Sequence, residues 1–578
     1  MKQGIYVGID VGGTWLKGIA CYVPLQSDWK SSVVSQIAQN KVQRVPSRLG
    51  VDRKVEEFIQ SLDELLDLLS LDGTDFILGI GVSTAGIVDY AGQKVVVASP
   101  HLGKIQSPKW KEYLERKYQT SVVLINDADA VAIGASTCNY LHGGKTIGIL
   151  PVGTGIGLSI WRNGRKWQPG KTLPLVGSIG TPCGTFDEIG GISRLADKIG
   201  DDLRKLFSED KFQKERENYL SELAHIVYST CLLYNIDQIL IGGGLASIVS
   251  SCQYPLGNEL ERRIAKPLSL LKRMANVDIL AEGNLLPLLG AVLLAVGEKI
   301  AQDENPRKAY IEINTEIPYD SDIALHKMDG QHIIEYLWNT EQEAGQLLHA
   351  SLPEIVKAAQ TVARKLSEGG RLIYVGAGTS GRLAAIDNVE LGCTFGFPCD
   401  KVITLIAGGV ADATIEIESN FEEDASAVPE IVLASVCEKD VVIGISVSGS
   451  AYYVRSALAV SHSLGASTIF IQEGDAEIPS WIGLNIALHS GHEVVAGSTR
   501  MKAGTATKKV LNFISTTAMI LMGNVHGPYM IGVECINEKL IKRAQTILNR
   551  LYGLTEEDAA QLLATHGNNL RQTLEKLE

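Results

Sequence analysis

The 578-residue chain has 45% hydrophobic and 21% charged residues, the balance of an ordinary folded protein, and at roughly 100–200 residues per domain it holds about three to five structural units. Its net charge of −13 excludes an extended nucleic-acid footprint, which needs clustered Lys and Arg, although a nest of backbone amides can still bind a small anion. Nine cysteines without a CxxC pair give neither a zinc cluster nor a disulfide framework, which fits a reducing cytoplasm. The N-terminus runs straight into a predicted strand without a basic region and apolar core, so no secretory signal is expected, and the apolar stretch near 510–522 is broken by Asn512, Ser515, Thr516 and Thr517, as in a buried helix rather than a membrane span.

Apolar β-branched runs at 5–9, 76–82, 121–125, 146–150 and 238–241 alternate with helical patterns, which predicts α/β layers. A helix over 286–301 closes this half, and the polar, Pro-containing stretch 302–308 marks the main boundary. A second α/β run follows: helix 341–368, strand 371–375, a helix from Ser380, strands 401–406 and 440–445, helix 453–464 and strand 467–472. A small helical tail occupies 555–577, with Thr555 and Glu557 at a plausible helix start. The predicted organisation is 1–302, a linker 303–322, a second domain 323–545 and a tail 546–578. No short-period repeat is evident.

Two glycine-rich loops stand out, one in each half, at Gly8-Ile9-Asp10-Val11-Gly12-Gly13-Thr14 and at Gly376-Ala377-Gly378-Thr379-Ser380-Gly381. Glycines let backbone N–H groups approach phosphate oxygens, and a following helix adds the positive end of its dipole. In the first half Asp10 ends a buried strand, where a carboxylate needs a cation or hydrogen bonds, and Mg²⁺ is the functional reading. Gly12, Gly13, Thr14 and Lys17 form the phosphate set with two further turns, Gly153-Thr154-Gly155 and Gly242-Gly243-Gly244. Asn126-Asp127 ends another strand; Asp127 is either the base that takes a sugar hydroxyl's proton or a helix N-cap.

Together with 81–89 (GVSTAGIVD), these segments resemble the ROK family of sugar kinases over about residues 4–300. The resemblance implies a two-lobed actin-like ATPase (ribonuclease H-like) fold, ATP and sugar in the cleft, Asn126 and Asp127 at the sugar, and Asp127 as catalytic base. The family's zinc segment falls near 177–184, where only Cys183 remains, so no zinc is expected. The sugar-contacting glutamate corresponds to Asp187 or Glu188, with Glu188 placed in the sugar-binding set.

In the second half Thr379 and Ser380 add hydroxyls to the Gly378 loop, and Ser448-Gly449-Ser450 forms a second loop after a strand. The pair resembles the doubly wound sugar-isomerase (SIS) domain, which binds phosphosugars. With Asp387, Glu390, the segment 405–409 (LIAGG) and 497–506 (GSTRMKAGTA), the likeness sharpens to the N-acetylmuramic acid 6-phosphate etherases over roughly 310–578. That family eliminates D-lactate from C3 of the sugar and then adds water, without a cofactor, using two carboxyl groups. Glu390 matches its proton donor. The second carboxylate is matched to Glu423, with Glu418 and Glu422 as rivals. Thr499, Arg500 and Lys502 join the phosphosugar set. Two departures are Ser450-Ala451-Tyr452 for Arg-Thr-Pro and Leu391-Gly392-Cys393 for Cys-Pro-Pro.

The fusion implies that the first half phosphorylates N-acetylmuramate, or a related amino sugar, at O6 and that the second cleaves the product; the SIS resemblance implies a homodimer, and a cytoplasmic protein with neither nucleic acid nor membrane as a partner is expected. The rival is a phosphosugar-sensing regulator, since the second half also resembles the glucokinase regulatory protein.

Overall fold

The computed structural model describes residues 4–23, 29–49, 53–69, 76–89, 93–98, 100–137, 145–162, 165–166, 176–181, 184–269, 275–304, 317–408, 427–474, 478–532, 535 and 537–577. Two compact units emerge: Met1–Glu304 with Asp424–Val436, and Asn305–Glu423 with Cys437–Glu578.

The first unit holds two five-stranded sheets. In one, β1 (Gly4–Val11), β2 (Trp15–Val23), β3 (Gln43–Pro46), β4 (Ile77–Thr84) and β5 (Val122–Asn126) lie in the order β3-β2-β1-β4-β5. In the other, β6 (Thr146–Pro151), β7 (Ser159–Arg162), β8 (Arg165–Lys166), β9 (Gln238–Gly242) and β10 (Asn276–Ile279) lie in the order β8-β7-β6-β9-β10. Each sheet pairs its first three strands antiparallel and adds the last two in parallel. The same topology therefore occurs twice, which is the duplicated ribonuclease H-like plan of the actin-like ATPases, and no residue repeat announces it.

The helices α1 (Asp127–Ser136), α2 (Gly243–Ser251) and α3 (Leu286–Glu304) follow β5, β9 and β10. Helix α3 lies almost backbone to backbone on the first sheet: a Cβ on Gly81 would sit 1.9 Å from the Ala291 carbonyl oxygen, and one on Gly8 2.7 Å from that of Leu288. The crossing of α1 and α3 is equally close, since a Cβ on Gly290 would lie 2.1 Å from the Ala130 carbonyl oxygen. Only glycine fits at such approaches.

The second unit is a doubly wound parallel sheet. Strands β11 (Leu372–Gly376), β12 (Val402–Ile406), β13 (Val441–Ile445), β14 (Ser467–Gln472) and β15 (Leu484–Ala487) take the order β12-β11-β13-β14-β15, all parallel. All five residues of β11, β12 and β13 are buried, as covering helices on both faces require. Helices α4 (Leu352–Ser367), α5 (Gly378–Phe395) and α6 (Lys502–Leu521) contribute to the core around Tyr374, Ile443 and Val510. The helix expected over 341–368 is broken instead: Gly330–Leu347 ends before Leu348–Ser351, and α4 starts afresh with Pro353 in its first turn. Proline suits a first turn because it has no N–H to bond there. The expected tail boundary at 546 falls inside the helix Glu538–Tyr552, whose Ala544, Ile547 and Leu548 pack with Ala559, Leu563, Leu570 and Leu574 in one small core.

The helix Val428–Leu433 lies in sequence between β12 and β13, yet it belongs to the first unit. Val428, Ile431 and Val432 are fully buried, and a Cβ on Gly297 of α3 would lie 2.5 Å from Val428 Cγ1. Ser435 Oγ donates to the Ser136 carbonyl at the end of α1, 3.3 Å away. Val428→Asp places an unpaired carboxylate in this seam and is expected to destabilise the first unit by about 3 kcal/mol. Chemical denaturation with a tryptophan signal, Trp29, Trp110 and Trp161 being buried there, checks it.

Candidate functional sites

Strand register gathers the first site. Asp10 stands opposite Lys17 on β2 and Ser83 on β4, and Thr84 stands opposite Asn126. Asp10 accepts from Lys17 Nζ at 3.2 Å and from Ser83 Oγ at 3.3 Å, and Lys17 also reaches Asn284 Oδ1 at 3.3 Å. Asp10, Lys17, Asn126 and Asn284 open on a cavity of about 930 Å³ in the first unit. Gly12, Gly13, Thr14, Lys17, Asn126, Asp127, Gly153, Thr154, Gly155, Gly243 and Gly244 all line it. Gly243, at φ +73°, is wedged against Val152, and only a residue without a side chain turns there.

Two expected residues, Gly242 and Glu188, fall outside this lining. Gly242 is the N-cap of α2, beneath the lining residues. Glu188 does not line the cavity, because it closes a capping box with Thr185 on the helix Phe186–Gly190, accepting from the Thr185 N–H at 2.7 Å. Asp187 is the carboxylate at the cavity wall, where it accepts from the Ile156 N–H at 2.6 Å. Asn126 lines the cavity, but its carboxamide is engaged as the N-cap of α1 and donates to the Gly86 carbonyl at 2.8 Å.

The N-cap role posed for Asp127 falls to Asn126, although Asp127 Oδ1 also accepts from the Ala128 N–H at 2.8 Å. Asn126 caps α1, so Asp127 is the first helical residue, with its carboxyl at the cavity wall. Burial chiefly, and then the negative charge of Asp10, push that carboxyl up to about 7. A carboxyl poised there exchanges protons readily near neutral pH. Its neighbour Asp129 is buried, held by Lys166 Nζ at 2.5 Å and Ser159 Oγ at 2.7 Å.

The second site follows from strand order. The sheet reverses direction of growth between β11 and β13, where Gly376 and Ile445 are register partners, so the loops that leave these two ends meet at the switch point. The first loop enters α5 through Gly378 at φ +50°, and no side chain caps that helix, which leaves first-turn amides of 378–380 for an anion. In the second, Ser448 Oγ accepts from the Ser450 N–H at 3.2 Å and from Ser450 Oγ at 2.8 Å, and Gly449 turns at φ +69°.

Helix α5 also carries Asp387 and Glu390. Asp387 is buried and accepts from Tyr374 Oη at 2.8 Å and Ser515 Oγ at 3.0 Å; burial raises its pKa against those bonds. Glu390 is 56% exposed and accepts from Lys508 Nζ at 3.0 Å, a partner on α6 that the sequence reading passed over. Its spacing of six from Lys502 gave no helical-face signal toward Glu390, because the pairing runs between two helices.

The expected anion site at the start of α6 is already filled. Buried Glu493 accepts from the N–H groups of Lys502 at 3.2 Å and Ala503 at 3.0 Å, neutralising the helix terminus. The Lys502 ammonium donates to the His492 carbonyl at 3.0 Å and lies 4.6 Å from the centre of the Tyr319 ring. The Lys502 side chain is buried, unlike the exposed phosphate contact expected of it. Arg500 is exposed and Thr499 half-buried. Glu423, with Glu418 and Glu422, lies outside the described residues, as does Cys183. Among the described residues no helix is long and apolar enough to cross a membrane.

Fold and sites define a two-part α/β protein, an actin-like ATPase fold joined to an SIS-type sheet. Residues 6–172 match the ROK family, and residues 354–462 match the glucokinase regulatory protein N-terminal SIS domain. N-acetylmuramic acid 6-phosphate etherase 2 of Bacillus licheniformis is 35% identical over 261 residues, 45% of this chain and 88% of that one. The corresponding etherase of Gloeobacter violaceus is 38% identical over 270 residues, 46% of this chain and 88% of that one. A ROK family glucokinase from Streptomyces griseus, solved with glucose and AMPPNP, aligns at 18% identity and a TM-score of 0.38, over 51% of this chain and 99% of that one. ROK hexokinase from Thermus thermophilus aligns at 19% and 0.35, over 51% and 98%. The chain belongs to the N-acetylmuramic acid 6-phosphate etherase family, with a ROK-family domain fused ahead of the etherase region.

Asp387→Ala leaves two buried hydroxyls without their acceptor and is expected to cost about 2–3 kcal/mol in unfolding free energy, with Asp387→Asn costing less. Urea denaturation of the two variants checks the order.

Proposed function

We propose that the chain is a bifunctional amino-sugar enzyme: the first unit transfers the γ-phosphate of ATP to O6 of N-acetylmuramate, and the second cleaves the D-lactyl ether of the product to N-acetylglucosamine 6-phosphate and D-lactate. The observation that carries the kinase reading is Asp127, a carboxyl held near 7 at the wall of the cavity that the glycine turns also line. Asp127 takes the proton from the sugar hydroxyl as it attacks, and Asp187 supplies the sugar-side carboxylate. Asp10, already arranged to meet a cation, would hold Mg²⁺ through water, and Mg²⁺ would neutralise charge on the phosphates. N-acetylmuramate as the sugar follows from economy, since its 6-phosphate is what the second half would consume.

In the second unit the loops at Gly378–Ser380 and Ser448–Ser450 hold the sugar phosphate and Glu390 protonates the departing ether oxygen. Glu390 lies twelve residues along α5 from Gly378, about 18 Å of helix, too far for one hexose phosphate to touch both on the same subunit. Exposed Ile386 and Val389 beside Glu390, and Phe513 and Ile520 on α6, are the apolar surface a second copy would cover. A homodimer that brings one subunit's loops to its partner's carboxyl satisfies both facts. The second reading, a phosphosugar sensor, is favoured by the match of residues 354–462 to the glucokinase regulatory protein.

Incubation with Mg-ATP and N-acetylmuramate is expected to yield ADP and D-lactate. Asp127→Asn should lower ADP formation by about 10²–10⁴-fold and leave lactate release from presynthesised N-acetylmuramic acid 6-phosphate intact; Glu390→Gln should do the reverse. Because the base works ionised and its carboxyl sits near 7, kcat/KM for phosphorylation should rise with pH through about 7. Absence of lactate from the presynthesised substrate would leave the sensor reading standing. Sedimentation analysis should show a dimer that Val389→Asp dissociates.

A further inference from the structure

The etherase reading leaves one charged part of its substrate without a partner. The ether at C3 belongs to an α-hydroxy acid, so a single carbon separates the ether oxygen from the lactyl carboxylate. Whatever group protonates that oxygen therefore stands beside the carboxylate. Glu390 is that group here, and a second negative charge next to it needs a cation.

Lys508 is placed for this. Its ammonium lies 3.0 Å from Glu390 Oε2 and is steadied by Asn512 Oδ1 at 2.7 Å, one turn further along α6. The side chain is 28% exposed, so a ligand can reach it. Two other cations near the start of α6 are placed differently. Lys502 is buried on the His492 carbonyl and the Tyr319 ring, and Arg500 is exposed in the turn before the helix begins. Asp387, one turn before Glu390, does not compete for Lys508 with a free carboxylate, because its oxygens accept from Tyr374 and Ser515.

Resting on the etherase reading, we infer that Lys508 binds the lactyl carboxylate of the substrate and so selects acidic ethers over neutral ones. In the free protein its partner is Glu390. On binding, the substrate's carboxylate takes over the ammonium, and Glu390 is released from Lys508 to face the ether oxygen. The C3–O bond then breaks with its electron pair going to the ether oxygen, which receives the Glu390 proton. A base takes the proton from C2, and the C2–H pair becomes the C2=C3 double bond. D-lactate leaves with its carboxylate on Lys508, and water adds across the double bond.

The test compares release of D-lactate from N-acetylmuramic acid 6-phosphate with release of lactamide from its carboxamide analogue, using the full chain. The unaltered protein should prefer the carboxylate by about 10–100-fold in kcat/KM, the range of a charge-assisted hydrogen bond. Lys508→Gln should lose most of that preference, as should Lys508→Met, which keeps the aliphatic stem. Lys508→Arg should keep it. Inhibition by N-acetylglucosamine 6-phosphate, which lacks the lactyl group, should be unchanged in all three and reports an intact fold. If the neutral variants slow both substrates equally and retain the preference, Lys508 only orients Glu390 and the inference is overturned. If the unaltered protein releases nothing from either substrate, the etherase reading itself falls, a result distinguishable from the former.

Discussion

The first site depends on the near-contact of helix α3 with the sheet beneath it. Gly8 and Gly81 remove the side chains that would hold α3 away from β1 and β4, and Gly290 does the same where α3 crosses α1. Because these approaches are set by backbone and not by adaptable side chains, the ends of β1, β4 and β5 emerge at one fixed level. That level puts Asp10 in register with Ser83 and, one residue on, Thr84 with Asn126, and it sets α1, with Asp127 in its first turn, at the cavity. The raised pKa of Asp127 is a downstream result of this packing, which encloses the carboxyl and places Asp10 near it.

Much of this was legible in the residues. The strands β1, β4, β5, β6 and β9 fall within two residues of the apolar runs, since buried strands write themselves as unbroken β-branched stretches. The glycine turns and the SIS loops were found as motifs, because phosphate approach demands glycine at defined offsets. The duplication within the first unit was not legible. Two sheets share a topology through hydrogen-bond connectivity, and that leaves no trace in residue identity.

Motif reading placed Glu188 and Lys502 toward the ligand, whereas in the fold each side chain has an internal partner and a carboxylate sits at the helix start beside it. Glu188 and Glu493 are both spent on helix N-termini, the first by a capping box and the second by a carboxylate reaching across from a preceding loop. Capping at three residues' distance can be seen in a sequence, so Glu188 was recoverable from Thr185. The Glu493 contact, nine and ten residues away in chain and closed by a loop, was not. Lys508 was missed for the converse reason, since its partner is 118 residues distant on another helix.

The helix Val428–Leu433 changes what fusion means for this polypeptide. The polar stretch 302–308 marks the boundary read from the residues, and a cut there would be expected to separate two whole domains. It would not, because the first unit completes its own surface with a helix encoded after β12 of the second. The two activities are thus sewn together at a second, hidden stitch.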